Sequence, residues 1–149
     1  MRVALYPGSF NPLHEGHLDV LAQTHKMFDK VWIVLAVNPD KAQTLTDAEG
    51  LSEKMAAIRR QVEPFGNIGI TWTKGLLADF VKIFEQEDSD NCVEAIIRGM
   101  RNTKDFEDEK TLKYLYQDSG LVVPVIHVIA SRTLTHISSS AIRAMERYK

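Results

Sequence analysis

The sequence predicts an α/β fold: a Rossmann-like, doubly wound, five-stranded parallel sheet with helices on both faces. Three observations carry the prediction. Apolar, β-rich runs recur with helix-patterned stretches between them, which is the alternation of βαβ units. The run Val31–Val37 (VWIVLAV) is apolar at every position, as a strand covered by helices on both sides must be. The chain has 149 residues, 44% of them hydrophobic, enough for one domain over 1–149 whose core needs no disulfide or structural metal.

The first strand is expected at Val3–Tyr6, where Pro7 and Gly8 interrupt it. This apolar start is too short for a signal peptide or a membrane span. A helix follows over Leu18–Phe28, then the strand Val31–Val37, expected at the centre of the sheet. The polar stretch Asn38–Gly50 leads into a helix ending at Val62. Its start lies between 46 and 53, because Thr46-Asp47-Ala48-Glu49 has capping-box spacing, Gly50 breaks the pattern and Ser52 offers a later start. Next come a strand at Ile68–Thr73, a helix at Leu76–Glu87 and a solvated acidic loop at Glu85–Asn91. Val93–Arg98 is the fourth strand, Phe106–Gln117 the fourth helix, Val122–Ile129 the last strand, and Ser139–Tyr148 a closing helix. Each helix is read from apolar residues at three- and four-residue spacing with charges between them.

Eighteen basic against twenty acidic residues give a formal charge of -2, which argues against a protein that holds nucleic acid mainly by counterion release. A small-molecule partner fits better. The single cysteine, Cys92, excludes an intrachain disulfide and points to a reducing, cytoplasmic setting.

In an open parallel sheet, ligands bind beyond the carboxyl ends of the strands, where strand order reverses. The first such end reads Tyr6-Pro7-Gly8-Ser9-Phe10-Asn11-Pro12-Leu13-His14-Glu15-Gly16-His17-Leu18. Gly8 allows a tight turn and leaves room for a ligand, and Gly16 sits where a helix begins. The unpaired N–H groups and partial positive charge of a helix start favour a phosphate. His14 and His17, three apart, bring two imidazoles to one face, able to donate to phosphoryl oxygens. Two alternatives stay open: one histidine bonded to backbone at the helix start, or a zinc-binding pair. Trp32 and Trp72 read as structural, His127 as a core or sheet-face histidine, and His25 as a helix-surface one.

Ser9-Phe10-Asn11-Pro12 with His14-Glu15-Gly16-His17 resembles the (T/S)-F-(D/N)-P…H-x-G-H signature of the nucleotidylyltransferase superfamily. Ile137-Ser138-Ser139-Ser140 resembles its second signature, I-S-S-(S/T). Within the superfamily the chain is most similar to the phosphopantetheine adenylyltransferases. That likeness runs through Tyr6–Phe10, Phe28–Val31, Ala36–Lys41, Gly75–Phe80 and, most specifically, Ile97-Arg98-Gly99-Met100-Arg101 with Asp105, Phe106, Glu107 and Glu109.

The resemblance implies adenylyl transfer from ATP to 4'-phosphopantetheine, with Mg2+ carried by the ATP phosphates rather than by a protein metal site. It implies His17, Lys41 and Arg98 as the catalytic groups. Ser9 would meet the attacking phosphate, Lys41 and Arg98 would hold it, and Leu77 would touch the pantetheine arm. ATP would be held by Ser9, Phe10, His14, His17, Gly99, Met100, Arg101 and Glu109, and by Leu134, Thr135, His136, Ile137, Ser138, Ser139 and Ser140. Taken singly, Lys41 reads as a solvated lysine and Arg98 as a surface ion pair worth about 0–1 kcal/mol. Both follow predicted strands, so a parallel sheet would bring them to the edge that holds His17. The three serines also read as the N-cap of the last helix.

The family further implies a homo-oligomer, a homohexamer, with no nucleic-acid or membrane partner. His14 departs from the family, which has Thr or Ser there. Nicotinamide-mononucleotide adenylyltransferases have His, so nicotinamide mononucleotide is the alternative acceptor. The Arg98–Glu109 block and Lys41 favour phosphopantetheine. A non-catalytic ATP-binding module is the other class considered, and the presence of His17 and the serine run argues against it.

Overall fold

The computed structural model of the chain describes residues 1–37 and 48–131. Strands and helices alternate as predicted: β1 (Arg2–Gly8), α1 (Glu15–Thr24), β2 (Lys30–Ala36), α2 (Ala48–Val62), β3 (Ile68–Thr73), α3 (Leu77–Glu87), β4 (Cys92–Met100), α4 (Thr103–Asp118) and β5 (Val125–Ile129). Thr46, Asp47 and the expected last helix, Ser139–Tyr148, lie outside the described residues.

All strand pairs are parallel, in the order β3-β2-β1-β4-β5. The middle strand is therefore β1, and the expectation that Val31–Val37 would be central is corrected to its neighbour, β2. A wholly apolar run marks a strand covered on both faces, and that condition holds equally for the centre and the strand beside it. Two successive crossovers carry the chain from β1 outward to β3, and α3 then returns it across the sheet to the other side of β1. The order reverses between β1 and β4.

Alternating side chains build two cores. Ala4, Tyr6, Val31, Ile33 and Ile97 meet Val20 and Leu21 of α1 and Ile58 and Val62 of α2 on one face. Val3, Leu5, Val34 and Ile96 meet Ala78, Val81 and Phe84 of α3 on the other, with Tyr116 of α4 packed against them. Right-handed crossovers sort the helices in this way. One irregularity interrupts the alternation. Val3 pairs with Val93 but Ala4 pairs with Ala95, so Glu94 is an extra residue in β4. From Ala95 onward every β4 side chain is switched to the opposite face.

Differences at the element ends have local causes. α1 begins at Glu15, ahead of the apolar periodicity, because His14 caps it. α4 begins at Thr103 because the Asn102 side chain accepts the Asp105 N–H at 3.0 Å. β5 starts only after Pro124, which has no N–H to give a ladder. Glu85 and Glu87 belong to α3 rather than to a loop, and Glu85 accepts the Val93 N–H at 2.9 Å. His25, read as a surface residue, instead contacts Asn67 at 3.0 Å and packs edge-on against Phe65. Among the described residues no helix is long and apolar enough to cross a membrane.

The switch of faces in β4 turns Gly99 toward α1, where a Cβ would stand 2.9 Å from Cγ2 of buried Val20. A short β-branched side chain in a core has little room to yield. Gly99→Ala is expected to lower stability by about 1–3 kcal/mol through overpacking. Urea denaturation checks this, and an unchanged midpoint would contradict the close approach.

Candidate active site

β1 pairs with β2 up to Gly8–Leu35, but its pairing with β4 stops at Leu5–Ile96. The two strands therefore part at their carboxyl ends, at the point where strand order reverses, and a crevice opens there. Pro7 has no N–H to continue the ladder. Its carbonyl is taken instead by Nη1 of Arg98, which donates at 2.7 Å.

Beyond β1 the chain folds back on itself. A Cβ on Gly8 would lie 3.1 Å from the Phe10 ring, so the space that the missing side chain leaves is filled by Phe10 rather than kept for a ligand. Phe10 adopts φ 46, in the left-handed region, and is buried with its ring edge-on to Tyr6 and His17 at centroid distances of 5.0 and 4.8 Å. The ring contacts offset the backbone strain of this conformation.

α1 is capped by a pair of histidines. Nδ1 of His14 accepts the Gly16 N–H at 3.0 Å, and the His14 N–H donates to Nδ1 of His17 at 3.1 Å. The rings stack with centroids 3.8 Å apart. Each Nδ1 is an acceptor, so each neutral ring carries its proton on Nε2. Burial, and then the charges of His14, Arg98 and Arg101, push the His17 pKa down to about 3. Burial and then Arg101 also lower that of His14. Both residues are therefore neutral donors rather than cations. The backbone-bonded reading of the helix-start histidine holds for both rings, and it leaves Nε2–H available to a phosphoryl oxygen. Among the described residues no group of three or more His, Cys, Asp or Glu could hold a metal.

The cations come from the end of β4. Arg98 donates through Nε and Nη2 to both carboxylate oxygens of Glu109 on α4, at 2.7 to 3.2 Å. Burial opposes the charge of Arg98, but the bonds and charge of Glu109 outweigh it and hold the pKa above the usual value. This is no exposed strand-end pair, since Glu109 is buried. The Glu109 carboxylate, which the resemblance assigns to ATP, is engaged by Arg98. His127 of β5 stands beside it, with Nε2 3.6 Å from Oε1 and no hydrogen bond of its own among the described residues. Arg101 is held by Asp105, 2.9 Å from Nε, and those bonds keep the Asp105 pKa below the usual carboxylate range.

The structure thus brings Ser9, Phe10, His14, His17, Arg98, Gly99, Met100, Arg101 and Glu109 to one edge of the sheet. Leu77 begins α3, beyond β3, and packs on the second core. Lys41, Leu134, Thr135, His136, Ile137, Ser138, Ser139 and Ser140 lie outside the described residues. Sequence reading missed three further contacts. Lys54 and Gln61 of α2 donate to the carbonyls of Ser9 and Leu13, at 2.6 and 3.4 Å. Asp19 of α1 accepts from the Ser131 hydroxyl and N–H at 2.7 and 3.0 Å, fastening the chain that leaves β5 to the helix of His17. A polar residue on a helix face carries no sequence signal of such a partner. A surface cavity of about 530 Å³ lined by Arg59, Arg60, Glu63 and Ile68 opens at the far end of the sheet, beside the start of β3, and involves none of these residues.

A family profile described as cytidylyltransferase-like matches residues 5–145. The chain is 34% identical over 149 residues to a phosphopantetheine adenylyltransferase of Clostridium beijerinckii, covering 99% of this chain and 86% of that one. It is 32% identical over 143 residues to one of Clostridium novyi, covering 96% and 82%. A third, of Hahella chejuensis, is 33% identical over 143 residues, with the same coverage. Among solved structures, a lipopolysaccharide core biosynthesis protein of Thermoplasma volcanium shares the fold, with a TM-score of 0.56 at 19% identity over 87% of this chain and 97% of that one.

Two measurements test this geometry. His17 should show no NMR titration between about pH 5 and 8, because its folded pKa of about 3 lies far below the unfolded value of 6.5. The unfolded chain takes up a proton that the native ring refuses, so this contribution to stability is complete above about pH 6.5 and is lost as pH falls toward 3. An inflection near pH 6.5 would contradict the buried, neutral ring. Glu109→Ala should lower stability by about 3–5 kcal/mol by leaving the guanidinium of Arg98 unpaired; a loss under about 1 kcal/mol in urea denaturation would show the pair to be solvated.

Proposed function

The chain belongs to the cytidylyltransferase-like family and, within it, to the phosphopantetheine adenylyltransferases, and we infer from this and from the crevice that it transfers the adenylyl group of ATP to 4'-phosphopantetheine. The single observation that carries the chemistry is the meeting of two Nε2–H donors at the start of α1 with Arg98 and Arg101 at the end of β4, close enough for both charges to depress the His17 pKa.

An oxygen of the phosphopantetheine phosphate attacks the α-phosphorus of ATP. The bond from that phosphorus to the bridging oxygen breaks opposite the attack, and pyrophosphate leaves with the electron pair, giving dephospho-coenzyme A. The attacking group is already an anion, so neither a covalent intermediate nor a general base is required. Catalysis then rests on alignment and charge stabilisation. His17, neutral and donating from Nε2, stabilises the charge that develops on the transferring phosphoryl oxygens. Ser9, exposed just beyond β1, is read as a contact of the attacking phosphate. Lys41 and Arg98 are read as the holders of the acceptor phosphate, Leu77 as a contact of the pantetheine arm, and Gly99–Arg101 with 134–140 as the ATP side.

Mg2+ would arrive on the nucleotide and neutralise the leaving pyrophosphate. Asp105, Glu109 and Asp19 are engaged by Arg101, Arg98 and Ser131, which suits a metal carried by phosphate rather than by side chains. We read the protein as cytoplasmic and homo-oligomeric. Exposed Phe106, Tyr114 and Leu115 of α4 and Ile129 of β5 support a self-association surface. His14 gives no support to a nicotinamide mononucleotide acceptor. Its Nδ1 does the work of the Ser or Thr N-cap that it replaces.

Pyrophosphate release should require ATP with phosphopantetheine and be slow with nicotinamide mononucleotide; the reverse preference would sink the acceptor assignment. His17→Ala should lower turnover by about 10²–10³, the scale of losing one donor to a developing oxyanion, with smaller changes in substrate affinity. Near wild-type turnover at saturation would remove His17 from the mechanism. Lys41→Ala should weaken phosphopantetheine more than ATP in calorimetric titrations, and equal losses would contradict its role.

A further inference from the structure

We propose that Lys54 is a positioning residue for the transfer reaction: by holding the Ser9 carbonyl, it turns the Ser9–Phe10 peptide so that the Phe10 N–H faces the crevice as a donor to the nucleotide phosphates. The ammonium sits on α2, half-buried, and donates to the Ser9 oxygen at 2.6 Å. No carboxylate among the described residues pairs with it. Burial alone lowers its pKa. The partial desolvation of this cation is offset by its bond to the Ser9 carbonyl, which ties the side chain to that one acceptor.

The geometry supplies the positioning role. A trans peptide is planar, with its C=O and N–H pointing in opposite directions, and the Ser9–Phe10 bond is trans. α2 links β2 to β3 and so flanks β1 on the side away from β4. With the carbonyl turned to α2, the N–H of Phe10 points toward β4 and the opening between the strands. Phe10 is buried, yet its N–H has no acceptor among the described residues. A positive charge on the carbonyl also polarises the peptide and strengthens the N–H as a donor. Gln61, two turns further along α2, holds the other end of the loop at Leu13, but it brings no charge.

The inference rests on the adenylyl-transfer reading, and its test separates the two. Lys54→Arg, Lys54→Gln and Lys54→Met are compared for kcat, both KM values and the urea midpoint. Lys54→Met is expected to lower kcat by about 100-fold, the scale of a displacement of about 1 Å at a reacting centre, with the KM for phosphopantetheine nearly unchanged. Lys54→Arg keeps donor and charge and should restore most of kcat, and Lys54→Gln, a donor without charge, should fall between. Unaltered kcat in Lys54→Met, no recovery in Lys54→Arg, or losses that simply follow the midpoint would each overturn the role. Should Lys54→Met not fold, the Gln and Arg variants decide: equal kcat values overturn the proposal. Should the wild type release no pyrophosphate with phosphopantetheine, the reading of the reaction fails, and ATP calorimetry decides for Lys54. Weaker ATP binding in Lys54→Gln than in Lys54→Arg supports it, and equal binding overturns it.

Discussion

The three-way hold of Arg98 is the constraint on which the site depends. Its guanidinium binds the Pro7 carbonyl at the end of β1 and both oxygens of Glu109 on α4, so one side chain ties the central strand, its neighbour across the crevice and a covering helix. It can do so because Glu94 is an extra residue in β4. With regular pairing from Val93 onward, residue 98 would point to the face of α1 and α2, away from Glu109. The same shift turns Gly99 against Val20. A bulge four residues upstream thus fixes both the direction of the cation and the depth at which α1 rests on the sheet.

The cations and donors of this edge are held in different ways. Arg98 and Arg101 each face a carboxylate, and both histidines are neutral. A resting site that gathers two polyanions therefore carries little uncompensated charge among these groups. A protonated His17 would stack its charge on His14 beside two arginines. Burial and those charges together forbid this, and so the ring stays a donor of fixed orientation across the physiological range.

What the sequence disclosed follows from how local the signal is. The five strands and the first four helices were legible because periodicity and β-branched runs are properties of neighbouring residues, and the His14–His17 pair was legible because three-residue spacing on a helix start fixes a shared face. The ends of elements were less so. Pro7 reads as a strand breaker, yet β1 runs through it because its ladder with β2 continues to Gly8, while Arg98, ninety-one residues away, takes up the Pro7 carbonyl. The central place of β1 was hidden because strand order is set by crossovers and not by composition. Glu94 gave no sign of being extra, since an exposed glutamate looks alike in a regular strand and a bulge. The Arg98–Glu109 pair was named as part of a family block, but only the fold of β4 onto α4 shows that the two residues bind each other. Lys54 and Asp19 were missed for the same reason: their partners are a carbonyl of Ser9 and a hydroxyl of Ser131, distant in sequence.

The loop after β1 is therefore best understood as a part held from every side before any ligand arrives. Phe10 fills the room left by Gly8 and rests against Tyr6 and His17. α2 grips the carbonyls of Ser9 and Leu13, and His14 closes the loop by capping α1. Each contact removes a way in which the donors could drift, and the left-handed backbone of Phe10 is tolerated only because the others determine it. Donors fixed in this way need no reorganisation when charge develops on a phosphoryl group, and that saving is what makes neutral N–H groups effective. The strain at residue 10 and the half-buried charge of Lys54 are unfavourable features of one arrangement, and both make sense if the orientation of a single peptide matters to the reaction.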